Sequence, residues 1–299
     1  MIRSAMHFSL ALLAGFAAHG SAHAESATLA RIRASGTLTL AYRESSVPFS
    51  YLGADQKPVG MSVDLCKAVA ERLKTELKLP ALKIDYVPVN ASNRIPLIQN
   101  GAVDLECGST TNTAARQNQV AFSVATLVSR TSWLTTTASG IARTADLKGK
   151  TVVITQGSLN LALGLKISKD DNLGLTIVQG KDQAESLLML RTGRAAAWFE
   201  DRILQAGLAA TSPDPKLFKF LPDQYGGYDY YGLMLAKDDP EFKAVVDGAI
   251  KEKMASGEFT KLYATWFTSP IPPNGQNLAL EMSDALKERI ASPSDALAP

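Results

Sequence analysis

The chain has 299 residues, with 31 lysines and arginines against 29 aspartates and glutamates and a formal net charge of +2. It contains no basic run, acidic tail or polybasic face, which excludes the surfaces typical of nucleic-acid binding and membrane association. Its length suits two domains of ordinary size or one large domain.

The first 24 residues have the pattern of a cleavable export signal. Arg3 supplies the positive start, residues 8–18 form a short apolar run, and Ala22-His23-Ala24 has the small-x-small form of a cleavage site. The run is too short for a lasting membrane anchor, and no cysteine follows it as a site for lipid attachment. We therefore expect a signal peptide at residues 1–24 and a mature periplasmic chain that begins near Ser26.

All three histidines, His7, His19 and His23, lie in this predicted signal. A mature chain without histidine excludes Ser–His and Cys–His catalysis and the usual histidine-containing zinc sites. We therefore expect a binding protein rather than an enzyme, with no catalytic residue, no metal and no cofactor. Because Arg3 is removed with the signal, the net charge of the mature chain falls from +2 to +1.

Strand and helix signals alternate along the mature chain. The predicted strands are residues 37–42, 83–89, 103–106, 151–155, 175–178 and 195–199. The predicted helices are residues 62–77, 93–99 and 184–191, with a further helix after the loop Gln156-Gly157-Ser158. Ser62 or Asp64 is the expected cap of the first of these helices. The alternation predicts a largely parallel α/β sheet with helices on both faces.

The last quarter of the chain predicts two amphipathic helices and an extended tail. Asp239-Pro240 is a strong helix start, because a capping side chain is followed by proline in the first turn. The second helix carries an aromatic stripe, which we interpret as core packing: Phe259, Leu262, Tyr263, Trp266 and Phe267. Prolines from Pro270 onward end it, and one more short helix is predicted at residues 283–290.

Cys66 and Cys107 are the only cysteines. In an oxidising compartment they could form one disulfide, and two buried free thiols are an equally open alternative.

Polar and charged side chains collect where the predicted strands end, which is where open α/β sheets bind ligands. These positions hold three arginines, several hydroxyls, one helix N-terminus and one carboxylate: Arg43, Arg94, Ser109, Thr111, Arg116, Ser158 and Asp201. Arginine pairs with a carboxylate through two parallel hydrogen bonds, and a helix start favours an anion. The set would complement a ligand with two carboxylates and one amine.

Each of these residues also has a purely structural alternative. Glu44 could form a surface ion pair with Arg43, and residues 109–112 could be a turn rich in capping hydroxyls. Asp201 could cap a helix over residues 203–210.

Beyond these patterns, nearly the whole mature chain resembles the glutamate/aspartate-binding periplasmic proteins of ABC importers. The resemblance rests on an ordered set of short motifs, which includes Arg43-Glu44-Ser45-Ser46-Val47-Pro48, Asn93-Arg94-Ile95-Pro96-Leu97, Glu106-Cys107-Gly108-Ser109-Thr110-Thr111-Asn112, Arg116-Gln117, Lys237-Asp238-Asp239-Pro240 and Pro270-Ile271-Pro272-Pro273.

This resemblance implies a two-lobe, type II periplasmic-binding fold. Each lobe would be a mostly parallel sheet flanked by helices, and the chain would cross between lobes twice. Lobe 1 would hold residues 26–128 together with 228–299, and lobe 2 would hold residues 129–227. A small acidic amino acid would bind in the interlobe cleft, and the membrane subunits of an ABC importer would be the partner. From the class we expect a monomer that does not insert into the membrane.

The resemblance also implies roles for single residues. Arg116 would hold the ligand's α-carboxylate with help from Ser109 and Thr111, and Asp201 would pair with its α-ammonium. Arg43 and Arg94 would hold the side-chain carboxylate, which makes the ligand acidic rather than neutral.

Three positions depart from the family pattern. Ala91 stands in place of a serine, Leu159 in place of a threonine, and Gln183 in place of a histidine that faces the ligand's side chain. Gln183 can still donate a hydrogen bond, but it carries no charge. The preference among glutamate, aspartate and their amides is therefore left open.

Three other functions fit part of the pattern. A dehydratase-like periplasmic enzyme on the same fold would use a lone Asp or Glu as its acid or base. A binder of a dicarboxylate without an amine would leave Asp201 unpaired in a closed cleft, at a substantial cost. A receptor sensor domain would need a membrane segment after the lobes, which residues 274–299 do not supply. A sensor that works as a detached partner of a membrane receptor is compatible with the sequence.

Overall fold

The computed structural model describes residues 26–297. The predicted signal peptide at residues 1–24 lies outside the described residues. The described strands are β1 (Thr37–Tyr42), β2 (Ser45–Ser46), β3 (Ser50–Leu52), β4 (Pro58–Val59), β5 (Lys83–Pro88), β6 (Leu105–Cys107), β7 (Val120–Phe122), β8 (Leu127–Thr136), β9 (Thr151–Thr155), β10 (Thr176–Gly180), β11 (Ala197–Asp201), β12 (Phe218–Tyr231), β13 (Met234–Ala236), β14 (Pro270–Ile271) and β15 (Gln276–Asn277).

The described helices are α1 (Ala27–Ser35), α2 (Met61–Glu76), α3 (Arg94–Gln99), α4 (Ala114–Gln117), α5 (Asn160–Asp170), α6 (Gln183–Arg191), α7 (Arg202–Thr211), α8 (Pro240–Ala255), α9 (Glu258–Phe267) and α10 (Asp284–Ala291). Within residues 26–297 no helix is both long and apolar enough to cross a membrane.

Two five-stranded sheets form the frame of the molecule. The first has the order β5-β1-β6-β13-β7 and the second the order β10-β9-β11-β8-β12. In each sheet the first three strands pair in parallel and the fourth is antiparallel to both of its neighbours. Four of the five strands in each sheet therefore point the same way, which agrees with the predicted mostly parallel sheets, although half of the pairings are antiparallel.

The chain passes between the sheets twice. It leaves the first sheet after β7 and enters the second at β8, and it returns between the end of β12 and β13. The lobe boundaries at 128/129 and 227/228 stay a prediction, and both fall inside these crossing strands.

The predicted helices and strands of the α/β core are present, with ends that coincide or are shifted by at most two residues. Asp239 caps α8 by accepting from the backbone of Phe242, and the aromatic stripe of α9 is largely buried, as predicted. The predicted cap of α2 is wrong: α2 begins at Met61, after Gly60, without a side-chain cap.

Backbone carbonyls replace the expected cap of α2. The amides of Met61 and Ser62 donate to the carbonyls of Pro48 and Phe49 at 2.9 and 3.0 Å. A Cβ at Gly60 would lie 2.3 Å from the Phe49 oxygen, so the approach needs glycine. The first amides of α2 are thus satisfied by a neighbouring loop.

Cys66 of α2 and Cys107 of β6 form a disulfide, with 6.1 Å between their Cα atoms. The disulfide resolves the alternative that the sequence left open. It ties α2 to the strand that leads directly into the loop of Ser109 and Thr111.

Candidate ligand-binding site

A cavity of about 110 Å³ lies where the loops after the parallel strands of the two sheets face each other. The volume exceeds what one water needs and is small compared with drug-sized pockets, so it suits a small solute. Seven of the eight predicted ligand-binding residues line it: Arg94, Ser109, Thr111, Arg116, Ser158, Gln183 and Asp201.

Arg116 is fixed by its own loop. Its Nη1 donates to the carbonyl of Thr111 at 2.9 Å, and the hydroxyl of Thr113 accepts from its backbone amide at 3.3 Å. Burial, and then the charge of Arg94, lower the pKa of Arg116 to about 9. The guanidinium is therefore still charged at neutral pH, and it is held in an environment that favours an anion beside it.

Arg94 begins α3, and Ser109 follows β6. Both side chains are buried, and neither Arg94 Nε nor Ser109 Oγ has a hydrogen-bond partner among residues 26–297. Buried polar atoms are nearly always paired, and leaving one unpaired is costly. Two such atoms on one cavity wall indicate that a polar ligand completes the site.

Arg43 lies behind the cavity wall and does not line this cavity. Its Nη2 donates to Oε1 of Gln183 at 2.8 Å, and Ser46 Oγ donates to the same oxygen at 3.3 Å. Burial and then Arg94 lower the pKa of Arg43 to about 10, while Glu106 and Glu200 oppose the shift.

The alternative surface ion pair of Arg43 with Glu44 is wrong. Arg43 is buried while Glu44 is exposed, and within residues 26–297 no ion pair joins them. Arg43 instead lines an adjoining cavity of about 230 Å³, together with Lys181 and Asp182.

Asp201 ends β11 and is oriented by three donors. Its Oδ1 accepts from Thr131 Oγ1 at 3.3 Å and from Asn160 Nδ2 at 3.1 Å, and its Oδ2 accepts from the hydroxyl of Tyr231. Asp201 stands at the N-cap position of α7 but makes no capping bond with its side chain. The alternative role as a helix cap is therefore wrong, and the carboxylate faces the cavity.

Two further carboxyl groups, which the sequence analysis missed, line the cavity. Burial and then Asp201 raise the pKa of Glu200 to about 7, and the same two causes raise the pKa of Asp229 to about 7 against the opposing charge of Arg116. Glu200 is adjacent in sequence to the predicted site residue Asp201, and this adjacency is the feature that could have identified it. Asp229 lies in a run of glycine and tyrosine, which contains no pattern that indicates a binding residue.

Glu106 was also missed, although it stands inside a motif that carries the family resemblance. It is fully buried, its Oε2 accepts from Thr110 Oγ1 at 2.7 Å, and its charge acts on both Arg43 and Arg116. Glu106 therefore supplies a negative charge behind the arginines rather than in the cavity.

The three residues that depart from the family pattern also lie at the cavity. Ala91, Leu159 and Gln183 line it from different loops. The loop of Ser158 comes close to Ala91, and Ser158 Oγ donates within its own loop to the carbonyl of Thr155 at 2.7 Å. Loops of the two sheets therefore touch at the cavity.

Taken together, the wall offers guanidinium groups on one side and carboxylates on the other. Such an arrangement can hold a small molecule that carries both carboxylate and ammonium groups. Among residues 26–297, no group of three or more histidine, cysteine, aspartate or glutamate side chains could hold a metal ion.

Comparison with known families and relatives agrees with this geometry. The family described as bacterial extracellular solute-binding proteins, family 3, matches residues 38–269. The L-glutamate/L-aspartate-binding protein of Pseudomonas aeruginosa is 46% identical over 271 residues, which cover 90% of this chain and 89% of that protein. The glutamate/aspartate import solute-binding protein of Escherichia coli is 40% identical over 288 residues, covering 96% and 95%.

A solved structure supports the fold. The crystal structure of the ancestral amino acid-binding protein AncCDT-1, a precursor of cyclohexadienyl dehydratase, aligns with a TM-score of 0.68 and 26% identity over 80% of this chain and 99% of that one. The predicted two-lobe, type II periplasmic-binding fold and the family resemblance are confirmed by these matches.

Proposed function

We propose that this chain, which belongs to the bacterial extracellular solute-binding proteins of family 3, captures L-glutamate or L-aspartate between its lobes and delivers it to an ABC importer. Two observations outside the site support the ligand class. The relatives from Pseudomonas aeruginosa and Escherichia coli carry glutamate and aspartate in their names, and each aligns over at least 89% of both chains.

The observation that carries the proposal is the convergence of three buried arginines on one small site. Arg43, Arg94 and Arg116 are 2%, 3% and 6% exposed. Arg94 acts on both of the others as a like charge. A buried cation without an anion is strongly destabilising. A ligand with two carboxylates would supply the missing negative charge, whereas a neutral amino acid would supply half of it.

The proposed roles follow from position. Arg116, with Ser109 and Thr111, holds the α-carboxylate, and Asp201 pairs with the α-ammonium. Arg94 meets the side-chain carboxylate, because it lines the cavity and its buried Nε has no partner among the described residues.

Gln183 lines the cavity, and Arg43 lies behind it and donates to its side chain. Since Arg43 donates to Oε1 of Gln183, the amide group of Gln183 is oriented with its NH₂ available as a donor. Gln183 therefore offers the ligand's side-chain carboxylate a hydrogen bond, and Arg43 supports it with positive charge from behind.

The proposal extends to the setting in which the protein works. Export by the signal at residues 1–24 would release a monomer into the periplasm, and closure of the two lobes around the ligand would create the form that the importer recognises.

A thermal unfolding screen tests the proposed ligand class. The refolded mature chain is heated with each of the twenty amino acids and with glutarate and succinate, because a ligand that binds only the folded state raises the unfolding midpoint. We expect glutamate and aspartate to give the largest shifts. A larger shift with a cationic or apolar amino acid would overturn the proposal.

The same samples separate binding from catalysis. After prolonged incubation, NMR of the recovered solute should show unchanged glutamate or aspartate. Conversion to a product would support the dehydratase-like alternative instead, in which Glu200 would be the candidate acid or base.

A further inference from the structure

We propose that the ligand's ammonium is held by two carboxylates, Asp201 and Asp229, and that Asp229 gives up a proton when the ammonium arrives. This inference rests on the proposed function, because it requires a ligand with an amino group. It adds a binding residue, and with it a pH dependence of capture, to the site described above.

The hydrogen-bond capacity of Asp201 calls for a second acceptor. A carboxylate has about four lone-pair sites, and an ammonium has three donors. Asp201 already accepts from Thr131, Asn160 and Tyr231. Thr131 shares its one hydroxyl hydrogen with Asn160 Oδ1 at 3.0 Å, so one or two sites remain on Asp201. Asp201 alone therefore leaves at least one N–H of the ammonium without an acceptor.

Asp229 stands where a second acceptor is needed. It lines the same cavity from β12, which carries a register shift against β8 between Tyr225 and Asp229. Irregularities of this kind turn side chains toward sites at sheet edges. Asp229 acts electrostatically on Asp201, and its carboxylate interacts with Thr131, the residue that also donates to Asp201.

The cavity shows independently that a ligand belongs among these carboxylates. Glu200 Oε2, Arg94 Nε and Ser109 Oγ all lack hydrogen-bond partners among residues 26–297, and all three residues are at least nine-tenths buried in the cavity wall. The acidic side is therefore part of an incomplete binding site and not only a cluster of like charges.

The charges around Asp229 explain why it is the group that titrates. The charged groups that act on Asp229 are Asp201 and Arg116. Asp229 and Glu200 both act on Tyr231, and Arg130 lies on the paired strand β8 with its side chain on the Gly226 carbonyl. Burial and Asp201 raise the pKa of Asp229 to about 7, and Arg116 opposes them. Near neutral pH Asp229 therefore holds its proton in part of the ligand-free molecules.

An ammonium in contact with Asp229 favours its ionised form, so binding expels the proton. The ligand's α-carboxylate would favour the protonated form of Asp229, but it is paired with Arg116 and lies farther from Asp229 than the ammonium does. Glu200 is the weaker candidate, because its Oε1 already accepts from Asn160 and from the backbone of Asp201.

Calorimetric titration with L-glutamate at pH 7, in two buffers that differ in ionisation heat, measures the proton release directly. The wild-type chain should release a fraction of a proton per glutamate, and its Kd should tighten severalfold between pH 6 and pH 8. Asp229→Asn should bind severalfold more weakly than the wild type at pH 8, differ less from it at pH 6, and lose most of the proton release.

Three further variants serve as controls. Asp223→Asn makes the same change on the same strand at an exposed site outside the cavity and should behave as wild type. Glu200→Gln should keep the proton release. Asp229→Glu should keep proton release that Asp229→Asn loses.

The outcomes separate this inference from the proposed function. If the wild type binds no acidic amino acid, the proposed function fails. If it binds glutamate but releases no proton, or takes one up, the inference is overturned whatever the variants do. It is also overturned if Asp229→Asn binds within twofold of wild type at pH 8, or if the release disappears in Glu200→Gln instead.

Discussion

At the scale of single residues, the site contains buried charged side chains with unpaired polar atoms. Arg43 Nη1, Arg94 Nε, Glu106 Oε1 and Glu200 Oε2 are all buried without hydrogen-bond partners among the residues that the structure describes. Glu106 offsets part of the positive charge from behind. Arg94 and Glu200 line the cavity, so a ligand with matching groups would recover the free energy that they lose by burial.

The two arginines at the cavity should differ in what they recognise. Arg116→Ala should abolish binding of every amino acid, because all share the α-carboxylate, with a loss on the order of 3 kcal/mol or more. Arg94→Ala should chiefly weaken glutamate and aspartate and leave weak binding of glutamine nearly unchanged. Calorimetry with the three ligands measures both, and Arg143→Ala at an exposed position is the control. Equal tolerance of both changes would contradict the assigned roles.

Glu200 should make the stability of the ligand-free protein depend on pH. Its pKa rises from 4.5 to about 7 in the folded state, so the folded protein holds the proton more tightly than the unfolded chain. The contribution of Glu200 to the free energy of unfolding is therefore largest below about pH 4.5 and is lost as the pH rises to about 7. Burial and Asp201 raise the pKa of Asp229 as well, so both groups should make the free energy of unfolding fall between pH 5 and pH 7.5.

Urea unfolding of wild type, Glu200→Gln and the exposed control Glu71→Gln tests this dependence. Glu200→Gln should reduce the fall without removing it, because Asp229 contributes in the same direction, while Glu71→Gln should keep the fall in full. A wild-type protein that gains stability over this range would contradict the account.

Some site residues could be predicted from the sequence and others could not. Arg94, Arg116 and Asp201 follow strands or begin helices, and that local pattern marks the binding edge of a sheet. Asp229 depends on a register shift in a crossing strand, which no local pattern encodes. The partners of Arg43 come from the other lobe, so its position behind Gln183 needed the three-dimensional structure.

At the scale of elements, one loop contact couples the two lobes. Gly157, after β9, has φ +75°, and a Cβ there would lie 2.7 Å from the Ala91 carbonyl carbon and the Ser92 amide nitrogen. The backbones of two loops, one from each lobe, therefore meet directly beside the cavity. The closed arrangement depends on a glycine at this position.

A pair of glycine substitutions isolates this contact. Gly157→Ala should weaken glutamate binding about tenfold or more, because the added methyl group holds the lobes apart. Gly193→Ala is the matched control, since Gly193 has φ +73° and no neighbouring heavy atom within 4 Å of the added Cβ. Both should lose similar stability, about 1 kcal/mol, as measured by urea unfolding. Equal affinities of the two variants would show that the contact does not limit closure.

The elements that the sequence pattern did not predict are those that depend on tertiary pairing. β8 carries two serines and an arginine among its apolar and threonine residues and shows no clear alternation, yet it lies between β11 and β12 with most of its residues buried. β12 contains Pro222 and two adjacent glycines and pairs with β8 through two register shifts. Their pairing partners override weak local signals.

At the scale of the whole molecule, the C-terminal tail closes the core of the first lobe. The family match ends at residue 269, but Ile271, Leu278 and Leu286 beyond it are buried in the same hydrophobic cluster as α8 and α9. The tail also reaches the crossing strands, where the Ser294 carbonyl accepts from the Ala125 amide at 2.9 Å and Arg289 stacks on Tyr230.

Removal of the tail should therefore cost stability. Deletion from Pro270 onward should lower the free energy of unfolding by on the order of 5 kcal/mol, because three buried apolar side chains are lost. Deletion from Ser292 onward keeps those three side chains and should cost much less. Urea unfolding compares the two, and equal losses would place the stabilising contacts in the last eight residues instead.

The most direct test of the account is calorimetric titration of the refolded mature chain with L-glutamate and with L-glutamine, which differ in the side-chain carboxylate alone. The account predicts that glutamate binds about a hundredfold tighter or more, because Arg94 and the group of Arg43 and Gln183 face that carboxylate. Equal affinities, or tighter binding of glutamine, would contradict the claim that the buried arginines select an acidic ligand.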